Sequence, residues 1–313
     1  MQIHHDLSVL PSFKNAVITI GSYDGVHAGH QEIIKRVNTF AKQIGGESIL
    51  ITFHPHPRHV VYPDDHSLKL LSTVEEKAEL LQQYQLDHMV VVNFTAEFSQ
   101  QTPDEYIKNF LIEKFQPSKI VIGYDHKFGN KRAGNIEYLR KFEDQFGYTV
   151  EEISKQTVDD IAISSTKIRK QLSVGEIKSA TALLKHRFNL TGTVVKGKQI
   201  GTGIGFPTAN INVEDPHKLI PAVGIYAVLV NMNKTQHQGM LYIGKSLDNQ
   251  EQSIEVNIFD FEENIYNQQI GIEFVEFIRE DQRFHNMEEL RFQLEKDRRV
   301  VQFLLTEKEE PDV

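Results

Sequence analysis

Short apolar runs alternate with amphipathic helical stretches through the first 185 residues of this chain, and beyond them the alternation stops. Residues 16–20 (Ala-Val-Ile-Thr-Ile), 48–53 (Ser-Ile-Leu-Ile-Thr-Phe), 88–92 (His-Met-Val-Val-Val) and 119–123 (Lys-Ile-Val-Ile-Gly) have the length and composition of buried strands. After the first of them, Ile33, Ile34, Val37, Phe40, Ala41 and Ile44 recur with the spacing of one helix face. A second helix is expected from Thr73, which stands three residues before Glu76 as in a capping box, with Ala78, Leu80, Leu81 and Tyr84 facing inward. A third opens at residues 102–105, with Pro103 in the tolerated first turn. Strands that alternate with helices need crossover connections, so they run parallel. The fold class expected here is α/β, a doubly wound parallel sheet.

The second part of the chain reads differently. A helix is expected over residues 174–185, with Ile177, Ala180, Leu183 and Leu184 on one side. Residues 190–195, 225–230, 239–243, 254–261 and 270–277 then read as strands, with no helix among them until Met287. Successive strands without crossover helices imply an antiparallel β-barrel. Leu290, Leu294, Val301 and Leu305 are spaced for a helix that closes it. Two domains are therefore expected, 1–185 and 186–313, and 313 residues suffice for both. The acidic end, residues 307–313, is expected to fray.

Composition narrows the chemistry. There is no cysteine, which excludes disulfides, thiolate metal sites and cysteine nucleophiles and fits the cytoplasm. No run of eighteen apolar residues would span a membrane, and the N-terminus lacks the basic start and apolar core of a signal peptide. The net charge of −9 without a basic block argues against nucleic acid as partner and for small-molecule substrates. A monomer or a weak homo-oligomer is expected.

Four segments carry the candidate sites. Residues 21–30, Gly-Ser-Tyr-Asp-Gly-Val-His-Ala-Gly-His, lie where the first strand hands over to the first helix. Free N–H groups at a helix start suit phosphate, glycines admit a close backbone approach, and His27 and His30 add donors without a fixed charge. His54-Pro55-His56-Pro57 ends the second strand, so His54 and His56 could face the same ligand; the histidine spacing matches no closed zinc site. Residues 163–169, Ile-Ser-Ser-Thr-Lys-Ile-Arg, place hydroxyls at a helix start, followed by two cations. Such hydroxyls serve equally as an N-cap and as phosphate ligands. In the second domain, Gly201-Thr202-Gly203-Ile204-Gly205-Phe206-Pro207-Thr208-Ala209-Asn210 combines a glycine turn with a proline-stiffened pair of oxygen side chains suited to Mg²⁺ beside ATP phosphates. On a strand after it, Glu255, Asn257 and Phe259 share one face.

These strings resemble the motifs of the bacterial bifunctional riboflavin kinase/FAD synthetases. Residues 21–30 resemble that family's nucleotidyltransferase signature, and residues 163–169 its Ile-Ser-Ser-Thr-x-Ile-Arg motif. Residues 123–129 (Gly-Tyr-Asp-His-Lys-Phe-Gly) resemble its Gly-x-Asp-Phe-x-Phe-Gly pattern, with His126 where Phe is common. Pro207-Thr208-Ala209-Asn210 and the Glu255 strand resemble its kinase half, and residues 279–284 its Arg-x-Glu-x-x-Phe region. The resemblance implies ATP and Mg²⁺ as cofactors, and riboflavin, FMN and FAD as substrates and products. It implies His27, His30, Arg169 and Glu255 as catalytic residues, Glu255 as the general base. Gly21, Asp24, Gly25, Gly29, His56, Asp125, Ser164, Ser165, Thr166 and Lys167 are then expected at the adenylylation site. Gly201, Gly203, Gly205, Pro207, Thr208, Asn210 and Arg279 are expected at the kinase site, with Thr208 and Asn210 toward the metal. Arg279 would meet a phosphate or the isoalloxazine edge. The sequence departs from the family at Lys245-Ser246-Leu247-Asp248, where Pro-Thr is usual, and at Ile265-Tyr266-Asn267, where Leu-Tyr-Gly is frequent; both departures are expected near the flavin pocket. Rival readings are a nucleotidyltransferase for another phosphorylated acceptor, and a flavin-binding regulator with a degenerate kinase domain.

Overall fold

The computed structural model describes residues 1–153, 164–197, 201–245 and 252–307. The expected departure at Ser246, Leu247 and Asp248, the motif residue Ile163 and the tail 308–313 lie outside the described residues. The chain divides into two compact units, Met1–Ser165 and Thr166–Val313.

The first unit is built on six strands, β1 (Gln2–His4), β2 (Val17–Ile20), β3 (Ser48–His54), β4 (His88–Asn93), β5 (Lys119–Gly123) and β6 (Thr149–Ile153). They form one sheet in the order β1-β4-β3-β2-β5-β6, and every pairing is parallel. All four residues of β2 are buried, because helices cover a parallel sheet on both faces. The period of two sorts the side chains. Val17, Leu50, Met89, Val91 and Val121 pack with α1 (Ala28–Ile44), through Ile34 and Val37, and with Leu81 of α3 (Val74–Gln82). Ile18, Ile20, Ile49, Ile51, Val90 and Ile120 pack the other way, against Tyr106, Phe110 and Phe115. The capping box forms at Thr73 and Glu76 as the spacing predicts. The helix that opens at Pro103 runs on to Phe115, with wide, π-type turns over Tyr106–Ile112.

Strand order reverses at β2. The chain moves outward from it through β3 and β4, then returns to place β5 on its other side. The crevice outside the carboxyl ends of β2 and β5 is therefore the switch point at which open α/β sheets bind ligands.

The second unit holds β7 (Asn189–Val195), β8 (Ala209–Asn212), β9 (Gly224–Met232), β10 (Thr235–Lys245), β11 (Gln252–Ile258) and β12 (Gln269–Arg279). They close into a barrel in the order β10-β11-β8-β7-β12-β9, antiparallel throughout. The helix Met287–Glu307 buries Val301 and Leu305 against Phe206, Ala227, Met240 and Val275, so it closes the barrel as expected. The expected helix at 174–185 begins three residues late, at Ile177, and ends at Leu184. Gly175 adopts a left-handed φ of 78° behind the helix Ser165–Leu172, and that turn separates the two helices.

Candidate functional site

In the α/β unit, the loop after β2 has an unusual backbone. Tyr23, Gly25 and Val26 have φ of 47°, 77° and 40°. A left-handed Val is sterically costly, so something must hold it there. Buried polar groups do so from three sides. The Asp24 carboxylate accepts from the backbone N–H groups of Leu71 and Ser72 at 2.8 and 3.2 Å, and Ser72 Oγ accepts from the Gly25 N–H at 3.1 Å. Gln31 Nε2 donates to the Val26 carbonyl at 2.8 Å. Lys77, from the first turn of α3, donates to the Ser22 carbonyl at 2.6 Å and to Thr52 Oγ1 on β3 at 3.0 Å.

The loop delivers His27 to the N-cap of α1, where its Nδ1 accepts from the His30 N–H at 3.4 Å. That contact leaves Nε2 as the protonated nitrogen of a neutral imidazole, a donor for a phosphate oxygen. The two histidine rings stack with centroids 3.6 Å apart and planes at 16°, and Tyr23 packs on His30 at 4.8 Å. Burial pushes the His30 pKa well below its usual value, and the His27 ring and the Lys77 charge push the same way. His30 Nδ1 is buried without a hydrogen-bond partner. His30 is thus neutral at physiological pH, and the pair sits at a helix start whose own dipole attracts anions.

Ser165, the first residue of its helix, donates through Oγ to the Asp24 carbonyl at 3.1 Å. Ser165 and the Gly21–His30 segment are therefore joined within the first unit. Asp24 itself is placed as a clamp, its carboxylate directed at the 71–72 backbone. His56 lies at the carboxyl end of β3, where its Nδ1 caps α2 (Pro57–Val61) by accepting from the Arg58 N–H at 3.2 Å; His54 is exposed.

Asp125 follows β5 and is exposed beside the switch point. The loop behind it is pinched by a bridge between Phe128 and Gly134, where a Cβ would lie 2.5 Å from the Phe128 ring. Phe128 stacks on Tyr106 at 4.9 Å in the core, and His126 stacks on Phe128 at 6.0 Å. His126 Nε2 is buried without a partner. Burial chiefly, opposed by Asp125 and helped by Arg132, lowers its pKa to about 4.

In the barrel unit, β8 pairs with β11 so that Asn210 lies opposite Glu255. Thr208 Oγ1 donates to Glu255 Oε2 at 3.1 Å and Ser253 Oγ donates to Oε1 at 3.0 Å. Asn257 Nδ2 donates to the Pro207 carbonyl at 2.7 Å, fixing the proline from the neighbouring strand. A Cβ on Gly197 would fall 1.9 Å from the Asn210 amide, so only glycine leaves that side chain its place. The glycine turn closes by the Phe206 N–H bonding the Gly201 carbonyl at 2.8 Å, with Gly205 at a φ of 83° and Gly203 in open space. Carboxylate, hydroxyl and amide oxygens gathered in this way are hard donors of the kind Mg²⁺ takes, so the residues present fit that ion. A cavity of about 420 Å³ adjoins, lined by Pro207, Thr208, Ala209, Val256, Ile265 and Tyr266 among others. The Ile265–Tyr266 departure thus borders the Pro-Thr-Ala segment.

Arg279, expected to meet a phosphate or the isoalloxazine edge, is held by a carboxylate in this structure. Its guanidinium grips Asp297 of the closing helix through Nε and Nη2 at 2.7–3.1 Å and donates from Nη1 to the Glu280 carbonyl at 2.9 Å. A side chain so engaged ties strand to helix, with its fork filled by a carboxylate. The sequence reading also missed Lys77, Ser72, Thr52 and Ser253. They belong to no motif, and only the alternation that groups Asn257 with Glu255 gave a signal for that residue. Among the described residues, no group of three or more His, Asp or Glu side chains could hold a metal.

Comparison with known proteins adds to this geometry. A family model described as FAD synthetase matches residues 10–167, and one described as riboflavin kinase matches residues 184–305. A bifunctional riboflavin kinase/FMN adenylyltransferase of Listeria monocytogenes is 39% identical over 287 residues, covering 90% of either chain. One from Bacillus subtilis is 33% identical, again over 90% of each. A crystal structure of a protein described as a macrolide-efflux protein, from Streptococcus pneumoniae, superposes with a TM-score of 0.86 at 28% identity, covering 96% of this chain and 98% of that one. Among the described residues, no helix is long and apolar enough to cross a membrane.

Proposed function

The chain belongs to the bifunctional riboflavin kinase/FMN adenylyltransferase family, and from that premise we infer that it makes FMN from riboflavin and FAD from FMN, using ATP in both steps. The observation that carries this reading is the pair of separate sites: residues 21–30 joined to Ser165 in one unit, and Thr208 joined to Glu255 in the other.

In the kinase step, Glu255 takes the proton of the riboflavin primary hydroxyl. The oxygen attacks the γ-phosphorus of ATP, the bond to the β-phosphate oxygen breaks, and ADP leaves. Ser253 and Thr208 orient the carboxylate, and each carboxylate oxygen keeps a lone pair beyond the hydrogen bond it accepts. Thr208 and Asn210 would hold Mg²⁺, which supplies charge neutralisation on the phosphates. Gly201, Gly203, Gly205 and Pro207 shape the backbone around the nucleotide, and the cavity beside Thr208, bordered by Ile265 and Tyr266, receives substrate.

In the adenylyl step, the FMN phosphate is already an anion and needs no base. Its oxygen attacks the α-phosphorus and pyrophosphate departs. His27, His30 and the start of α1, with Gly21, Gly25 and Gly29, face the triphosphate. Ser164, Ser165 and Thr166 donate hydrogen bonds to the leaving group and Lys167 and Arg169 neutralise it, while His56 and Asp125 border the same crevice. We assign these steps to residues 1–185 and 186–313, adenylyltransferase and kinase respectively. We take the chain to work in the cytoplasm, as a monomer or weak homo-oligomer, without nucleic acid or membrane as partner.

Incubation with riboflavin and Mg-ATP, followed by chromatographic separation of the flavins, tests the reading. FMN should appear first and FAD after it, with pyrophosphate released. Absence of FAD from an FMN-fed reaction would overturn the adenylyl half, and absence of FMN from riboflavin the kinase half.

A further inference from the structure

Lys77 is 5% exposed and sits four residues into α3. A cation there is doubly disfavoured, since it loses its hydration and stands near the positive end of a helix. A methionine would pack in the same space without either penalty. The ammonium is nonetheless present, and its two hydrogen-bonding partners bracket the loop that carries the histidines: the Ser22 carbonyl, two residues past the end of β2, and Thr52 Oγ1 on β3. Thr52 Oγ1 itself donates to the same Ser22 carbonyl at 3.1 Å, so two donors converge on one acceptor. The next residues, Tyr23, Gly25 and Val26, are those in left-handed conformation.

We propose that Lys77 is a positioning residue for adenylyl transfer: it draws the Ser22 carbonyl inward, holds the 21–27 loop in its strained shape, and sets a buried positive charge beneath the triphosphate site. This rests on the adenylyltransferase reading above. The physical logic is that His30, with its lowered pKa, carries no charge to set against a bound triphosphate. A carbonyl turned inward also removes an acceptor dipole that would repel phosphate. Asp24 of the loop favours its charge, His30 of α1 opposes it, and β3 presents only the neutral Thr52. On its own helix, the Glu76 carboxylate is turned to the Thr73 N–H.

Burial brings the Lys77 pKa down to about 8, with Asp24 opposing that shift. Deprotonation above that pH would remove the charge from the site, so the adenylyl step should carry an alkaline limb that Lys77 sets. The test uses the full chain and three forms, wild type, Lys77→Met and Lys77→Arg. FAD synthesis from FMN is followed from neutral pH upward, with riboflavin kinase turnover and thermal unfolding as controls. Lys77→Met should lower kcat/KM for ATP in FAD synthesis by about 100-fold near neutral pH while kinase turnover is retained. Lys77→Arg, which keeps the charge and does not titrate, should recover at least about tenfold of that loss. It should also lack the fall that wild type shows above about pH 8. Wild-type rates in Lys77→Met, or the same alkaline limb in wild type and Lys77→Arg, would overturn the proposal. If the variants unfold, the wild-type profile still decides, since a flat kcat/KM through that range would overturn it. A wild type that makes no FAD at all would instead remove the adenylyltransferase reading itself.

Discussion

The Thr208 hydroxyl donates to the Glu255 carboxylate across 3.1 Å, although 47 residues separate them. Its proton is committed to Glu255, so its oxygen lone pairs remain for a cation or phosphate-bound water on the other side. The bond joins the two parts of the kinase motif into one unit, and the register that sets Asn210 opposite Glu255 makes that unit rigid.

Glu255→Gln keeps the shape and the acceptor oxygen but removes the base. Kinase turnover should fall by about 10²–10⁴-fold. FAD synthesis from supplied FMN should hold within about twofold, because that step needs no base. Measuring both rates on one preparation separates loss of the base from loss of the fold.

Ser165→Ala deletes the hydroxyl that reaches the Asp24 carbonyl. One neutral hydrogen bond is worth about 1 kcal/mol, so FAD synthesis should fall about fivefold. Riboflavin kinase turnover should not change. An equal fall in both activities would show that the bond does not act on the adenylylation site.

His126 is half-buried with its Nε2 enclosed, and its pKa is lowered from 6.5 to about 4. The unfolded chain therefore binds a proton in that window that the folded chain refuses. Stability contributed by this residue is complete above about pH 6.5 and is lost as pH falls toward about 4. His126→Phe keeps the stack on Phe128 and removes the titration. Its melting temperature should exceed that of wild type increasingly as pH drops through this range. A difference independent of pH would contradict the assignment.

Asp297 is 3% exposed in its pair with Arg279, whose side chain is 15% exposed. Removing one partner leaves the other as a largely buried, uncompensated charge. Asp297→Ala should destabilise the barrel unit by about 3 kcal/mol. Urea denaturation followed by circular dichroism should show the lower midpoint. An unchanged midpoint would mean that solvent compensates Arg279.

Strand and helix types, the parallel sheet and the closing helix were legible because each depends on periodicity over a few residues. The spacing of Ile34, Val37 and Ala41 already says which helix face is buried, and five strand-like runs without helices already say barrel. The motif strings were legible for the same local reason, since glycines and histidines at a helix start suit phosphate whatever the register of the sheet behind them. Tertiary structure alone decided which distant groups complete them. Ser165 reaches Asp24 over 141 residues, Lys77 reaches Ser22 over 55 and Leu71 reaches Asp24 over 47. It also gave Arg279 its partner, Asp297 of the closing helix. A sequence pattern fixes what a residue can do within its own turn or strand. The partner of a buried charge is whichever group the packed sheet and barrel carry into hydrogen-bonding distance, and that is known only when desolvation has forced the choice.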